Sequence, residues 1–311
     1  MQRVEPRTLL VCPTCQGTLG WNGAGPRCES CGVTYAVEAH VPVLFPVDES
    51  TGAAEQVYDP LPPSMLDRLP GPIRGLAQKV RAKLQPSLVH QSPTGRRRIH
   101  EFVASLPRDA AVVNVGAGAT DYGPNVLNLD VFPAATIHAL ATSEQLPVAS
   151  GAFDGVILEA VLEHVRDADA TLLEIMRVLR PGGRVLIDVP FLQPYHPSPG
   201  DYRRFTEQGL RTRLEQLGFE VRDSGVSVGP ASAMAWIGSH FTAMLVSGRS
   251  DRVYRGARVI TDLLFLPLKF ADRWLDKHPQ ATLIASGVWC EAAKPAPDGP
   301  EAPPAPPSDY T

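Results

Sequence analysis

The sequence predicts an α/β fold, a mainly parallel sheet covered by helices on both faces, with a small cysteine-bearing unit ahead of it. Three observations lead there. From residue 95 onward, uncharged β-branched segments alternate with segments of helical spacing, the pattern of strands buried on both sides. A glycine turn, Gly116-Ala117-Gly118, closes the first of those strands, and two Cys-x-x-Cys pairs stand near the N-terminus.

Cys12-Pro13-Thr14-Cys15 and Cys28-Glu29-Ser30-Cys31 are separated by twelve residues rich in Gly and Asn. Each pair sets two thiolates on one side of a tight turn, and a hairpin between them completes a four-sulfur site suited to a structural Zn2+. The alternative, four unligated thiols, leaves residues 1–50 with almost no core. Cys290 lies alone in an apolar run and reads as a buried residue. Residues 51–94 change character, with Pro70, Pro72, Pro86 and Pro93 interrupting short helical stretches, and read as a linker. Within it, Ile73–Leu84 has helical spacing with bases between apolar positions. It reads as a solvated amphipathic helix or as a contact for an anionic surface.

The main domain spans 95–293. A helix over 95–105 leads to the strand Ala111–Val115, and a second strand ends at Leu129-Asp130. The strand Gly155–Leu158, a helix over Ala168–Leu179, the turn Pro181-Gly182-Gly183 and the strand Arg184–Val189 follow. Next come a helix over Thr206–Leu217 and a strand over Phe219–Val228. Residues 229–281 read as an apolar helical insertion, Thr282–Ala293 as the last strand, and 294–311 as a disordered tail without core-forming residues. Such a sheet binds ligands beyond the carboxyl ends of its strands.

A lone glycine turn says little. Here it is followed by Asp130, by Leu146-Pro147 and Phe153-Asp154-Gly155-Val156-Ile157-Leu158, by Leu162-Glu163-His164-Val165, and by Glu174-Ile175-Met176-Arg177-Val178-Leu179-Arg180-Pro181-Gly182-Gly183. With that series, residues 95–228 resemble the Rossmann-like class I S-adenosylmethionine (SAM)-dependent methyltransferases of the type 11-like subgroup. Residues 9–47, closing on Val41-Pro42-Val43-Leu44-Phe45, resemble the Trm112-related zinc ribbons. The resemblance implies that Gly116 and Gly118 lie against the methionine part of SAM and that Asp130 accepts from the ribose hydroxyls. It implies that the Thr142–Leu146 loop borders the adenine, with Glu159 and Ala160 lining the sulfonium end. Asn114 stands where the family has an acid, and Thr142 where an aspartate commonly receives the adenine amino group, which leaves that contact to Ser143, Glu144 or backbone, with Leu146 closing the loop. The fifteen residues between Asn114 and Asp130 are too few for the usual helix, so Ala119–Asn125 reads as a loop or a single turn. Glu163 and His164 read as packing against, or capping, the following helix.

On the acceptor side, Pro190–Thr206 is a proline-stiffened loop with His196, Asp201, Tyr202 and Arg203, and it resembles a PFxxxxHxxPxDYxRFT segment found in a bacterial subset of these enzymes. Methyl transfer from a sulfonium is an in-line displacement that gains most from alignment, and an acceptor hydroxyl must also lose a proton. His196 is the candidate base and Asp201 its orienting partner.

A formal net charge of -4 over 311 residues argues against nucleic acid as the partner, although Arg96-Arg97-Arg98 and Lys79–Lys83 form local basic patches. The N-terminus carries no secretory pattern, which predicts a cytoplasmic chain. The leading function is methyl transfer to a small-molecule or glycan acceptor. The alternatives are an RNA or protein methyltransferase that uses the ribbon for recognition, and an inactive interaction module. The apolar 229–281 segment offers a lid, a self-association face or a membrane-surface contact.

Overall fold

The computed structural model describes residues 6–22, 25–46, 70 and 93–296. The amphipathic segment Ile73–Leu84, the rest of the linker but for Pro70 and residues 93–94, and the tail after 296 lie outside the described residues.

In the N-terminal unit, β1 (Leu19–Asn22) pairs antiparallel with β2 (Gly25–Cys28), and β3 (Val37–Glu38) with β4 (Val41–Pro42). Helix α1 (Pro93–Ser105) then leads into β5 (Val112–Val115), β6 (Val126–Asp130), β7 (Ala139–Leu140) and β8 (Phe153–Glu159). Next come α2 (Ala168–Val178), β9 (Leu179–Pro190), α3 (Glu207–Gln216) and β10 (Glu220–Val228). The helices α4 (Pro230–Ser247), α5 (Asp251–Phe265) and α6 (Asp272–Leu275) precede the last strand, β11 (Gly287–Ala293).

One seven-stranded sheet has the order β10-β11-β9-β8-β5-β6-β7. Neighbours from β9 to β7 run parallel, whereas β11 is antiparallel to both β9 and β10. This is a Rossmann-like α/β sheet. Side chains alternate across it, as the strand period of two requires. Val113, Val115, Val156, Leu158, Val185 and Ile187 face α2 and α3 through Leu172, Ile175, Leu210 and Leu214. On the opposite face, Val112, Ile157, Leu186 and Trp289 meet Ile99, Phe102 and Leu106 of α1.

Two boundaries differ most from those read in the sequence. The Pro181-Gly182-Gly183 turn lies inside β9: Leu179 pairs with Phe153 and Arg184 with Gly155, so the residues between bulge out. A side chain at Gly183 would press on the Arg180 and Phe153 carbonyls. The last strand begins at Gly287 instead of Thr282, because Ala281–Ile284 coils into a 3-10 turn with Leu283 and Ile284 exposed. Between β5 and β6 the chain forms turns with no helix.

The N-terminal unit is joined to the sheet. Val43 bridges in parallel to Leu140, and Leu10 antiparallel to Val148. The amides of Leu44 and Val11 donate to Leu140 O and Pro147 O, each at 2.8 Å. Leu10, Leu19, Tyr35, Leu44, Cys12 and Cys28 belong to the same buried cluster as the sheet. The two-residue strand β7 is thereby covered instead of presenting an open edge.

On the far side, α4 and α5 pack against each other. Pro230 opens α4, and the buried Asp272 carboxylate accepts from the amides of Ala231 and Ser232 at 2.7 and 2.9 Å, satisfying donors that a helix start leaves free. Among the described residues, no helix is long and apolar enough to cross a membrane.

Candidate active site

The strand order reverses between β5 and β8, and the crevice at their carboxyl ends is where an open α/β sheet takes a ligand. On the β5 side the turn runs through Gly116 (φ +72°) and Gly118 (φ +56°), both in the left-handed region. A Cβ on Gly116 would collide with Val161 Cγ2, whereas one on Gly118 would meet open space. Gly116 is therefore required by packing across the crevice, and Gly118 borders the opening. Asp130, at the end of β6, accepts from the amides of Gly118 (Oδ2, 2.7 Å) and Phe132 (Oδ1, 2.8 Å). Its carboxylate is held in place beside the turn, with lone pairs to spare on both oxygens.

On the β8 side, Glu159 pairs in register with Asp188 of β9. Tyr122 donates to Glu159 Oε2 at 2.9 Å, and Ser227 to Asp188 Oδ1 at 3.0 Å. Burial, followed by the charge of Glu159, raises Asp188 well above the usual carboxylate range. Ala160, exposed with φ +53°, donates its amide to Asp188 O.

Several sequence-stated candidates point elsewhere. Asn114 is buried and donates to Asn128 Oδ1 at 3.3 Å, bridging β5 to β6. The Ser143 hydroxyl pairs with Thr171 at 3.0 Å, Glu144 accepts the Asp167 amide at 3.1 Å, and Leu146 is wholly buried. The cause is α2, whose first turn and buried face claim these side chains. Thr142 accepts the Gln145 amide within its own turn.

The 190–206 loop folds back over the chain that follows β8. Tyr202 donates its amide to Glu163 O at 2.7 Å, and Arg203 binds Arg166 O. Asp201 does not chiefly orient the His196 ring, which lies 3.7 Å from it. It holds both arms of Arg204 and the His196 amide, because a guanidinium fork outcompetes an imidazole for a carboxylate. Burial works against the Asp201 charge, but Arg204 and the His196 amide win and hold its carboxyl down at about 2. His196 Nδ1 lies 2.8 Å from Pro194 O. An Nδ1–H donated there leaves Nε2 bare. Trp236 of α4 lies beside this ring, centroid to centroid 5.4 Å.

Glu163 and His164 do not cap the next helix, since Asp167 does. Glu163 is wholly buried, neither of its oxygens has a hydrogen-bond partner, and burial pushes its carboxyl up to about 8. His164 Nδ1 lies 2.5 Å from Gly200 O, and burial lowers its pKa. Asp188 was not read from the sequence as a site residue, although an acid inside the apolar run Val185–Val189 was a visible signal. A groove of about 720 Å³ between α2 and α3, lined by Asp169, Arg203 and Arg213 among others, includes none of the crevice residues.

In the N-terminal unit, Cys12 and Cys31 Sγ are 3.7 Å apart and Cys15 and Cys28 Sγ 3.4 Å, with all four within 4.8 Å of one another. Four sulfurs on one zinc at about 2.3 Å lie roughly 3.8 Å apart in a tetrahedron, so the set fits that ion. Gln145 Nε2 donates to Pro13 O at 2.6 Å, and Val41 and Phe45 pack with Ala117 of the glycine turn.

Residues 117–187 match the family model of a methyltransferase domain. The matched segment runs from the glycine turn to β9. An O-methyltransferase, rstn1, of Aspergillus nomiae is 36% identical over 91 residues, covering 26% of this chain and 40% of that protein. A probable S-adenosylmethionine-dependent methyltransferase of Mycolicibacterium smegmatis is 29% identical over 164 residues, 45% of this chain and 64% of its own length. The chain thus spans less than two thirds of either curated relative. Among solved structures, the 1,6-didemethyltoxoflavin-N1-methyltransferase of Burkholderia thailandensis is similar with a TM-score of 0.38 and 17% identity, over 76% of this chain and 94% of that one.

Proposed function

We propose that this chain transfers a methyl group from SAM to a hydroxyl of a small-molecule or glycan acceptor. The observation that carries the reading is the crevice of the methyltransferase domain, where an anchored Asp130 and an open Gly118 face Glu159 and the 160–164 turn. SAM supplies a methyl group on a cationic sulfonium, ready for in-line displacement. Asp130 takes the ribose hydroxyls. The Glu159 carboxylate faces the cationic end, a role that the buried Asn114 does not fill, while Asp188, raised by burial and by Glu159, stands beside it as a hydrogen-bonding partner. The bare Nε2 of His196 is positioned to accept the acceptor's proton, and Trp236 helps to keep the neighbourhood dry.

Cys12, Cys15, Cys28 and Cys31 hold one structural zinc, which cross-links the N-terminal unit. Free thiols suited to a metal fit a cytoplasmic chain. Net charge weighs against nucleic acid, and the exposed apolar residues of α4 and α5 serve as an acceptor lid, a self-association face or a membrane-surface contact.

Calorimetry with SAM, followed by transfer of labelled methyl to metabolite extracts beside RNA and protein fractions, tests the reading. Binding with label in the metabolite fraction supports it. Label in RNA or protein moves the acceptor class, and absence of SAM binding by the folded chain leaves an interaction module.

A further inference from the structure

The three residues Glu163, His164 and His196 come together although the first two lie in the turn after β8 and the third in the loop after β9. One donor atom from each lies within 4.8 Å of the other two. Glu163 Oε1 is 3.6 Å from His164 Nε2, and Glu163 is fully buried with no hydrogen bond to either oxygen. Native structures rarely leave a buried carboxylate unmatched, and an absent ion is one cause. Both imidazoles are oriented through Nδ1 by backbone carbonyls, Gly200 O for His164 and Pro194 O for His196. That is how metal-binding histidines are held, with the second nitrogen left for the ion. The nearby Arg204 is already matched by both oxygens of Asp201.

We propose that Glu163, His164 and His196 bind a divalent transition-metal cation on the acceptor side of the crevice. Two imidazoles and one carboxylate suit zinc and its neighbours, whereas magnesium and calcium prefer oxygen alone. Bonds of about 2.0–2.2 Å in a tetrahedron place donors about 3.4 Å apart, close to the 3.6 Å already between Glu163 Oε1 and His164 Nε2. Three protein ligands leave a position open for water or an acceptor oxygen.

The role of the ion rests on the methyl-transfer reading, although its binding does not. An acceptor hydroxyl on the ion loses its proton to solvent water more readily. Its oxygen then forms the new O–CH3 bond as the S–CH3 bond breaks and the neutral thioether leaves. His196 serves as a ligand in that arrangement, in place of a free base.

The test is titration of the metal-stripped full-length protein with Co2+, alongside SAM calorimetry on the same samples. The cysteine site is recognised by its sulfur-to-cobalt charge-transfer absorption, and the proposed site by d–d absorption without that band. We expect two equivalents in the wild type. Glu163→Gln, nearly isosteric, and His164→Ala should each weaken the second equivalent at least tenfold while leaving the cysteine equivalent intact as a folding control. A wild type that takes up only the cysteine equivalent, or a Glu163→Gln variant that keeps the second one unchanged, overturns the proposal. SAM binding without the second cation would remove the metal and leave methyl transfer standing. The second cation without SAM binding would do the reverse.

Discussion

The N-terminal unit and the α4–α5 hairpin flank the crevice from opposite ends, and they are attached in opposite ways. The first is short, yet Leu10, Leu19, Tyr35 and Leu44 are buried in the sheet's own core, and Val41 and Phe45 pack with Ala117 in the glycine turn. The hairpin is of similar length, yet Phe241, Met244, Leu245, Ile260, Leu263 and Leu264 are exposed. Continuity with the core therefore distinguishes the two regions better than size does. The first region adjoins the glycine turn, the proposed cofactor side, and the second adjoins His196, the proposed acceptor side.

The largest effect should follow loss of the metal cross-link. Cys28→Ser removes a buried thiol of the proposed zinc site whose neighbours join the sheet core, and a structural zinc site contributes directly to folding. We expect loss of the zinc and about 3–5 kcal/mol of stability, with hydrogen exchange quickening over 9–46 and also over 139–148. Residues 153–189 should keep their protection. Unchanged exchange at 139–148 would make the unit a mere appendage and break the comparison.

On the same side, Asp130→Ala removes the carboxylate proposed to take the ribose hydroxyls. The expected loss is about 1.5–3 kcal/mol, or roughly ten- to a hundredfold in SAM affinity by calorimetry. A folded variant with unchanged affinity would move the ribose contact elsewhere. Cys28→Ser should shift the same measurement in the same direction through the glycine turn.

The sheet could be read in the sequence because its central strands are buried on both faces and so form unbroken uncharged runs, as Val112 and Val113, buried on opposite faces, show. The glycine turn could be read because its residue types are restricted by backbone angle. Side-chain direction in the 142–146 loop could not, since Thr171, Glu174 and Asp167 of another segment decide it. The pairing of Glu159 with Asp188 depends on strand register. The meeting of Glu163 with His196 depends on a loop that folds back through Tyr202 and Gly200. Such long-range placement leaves no local periodicity, so Glu163 and His164 read as ordinary helix-start residues.

The crevice itself sets a smaller effect between the two flanks. Gly116→Ala adds a methyl against Val161 Cγ2 at a residue with φ +72°, for an expected cost of about 1–3 kcal/mol. Adding Val161→Ala should recover the part due to collision and leave the part due to backbone angle. A neutral Gly116→Ala in denaturant unfolding would mean that the turn is less tightly held than its packing indicates.

The smallest effect on stability should come from the hairpin. Leu264→Ser changes a side chain that is 68% exposed, and substitutions away from buried features usually stay within about 0.5 kcal/mol. SAM affinity should also stay within about twofold, because α5 supplies no residue to the turn or to Asp130. What should change is whatever the exposed face meets: acceptor turnover if it is a lid, sedimentation if it is a self-association face, or retention on vesicles if it rests on a membrane. The contrast with Cys28→Ser is the informative part. If Leu264→Ser lowered the unfolding midpoint and SAM affinity together, the hairpin would be coupled to the cofactor side as the N-terminal unit is. The division of the crevice between its two flanks would then fail.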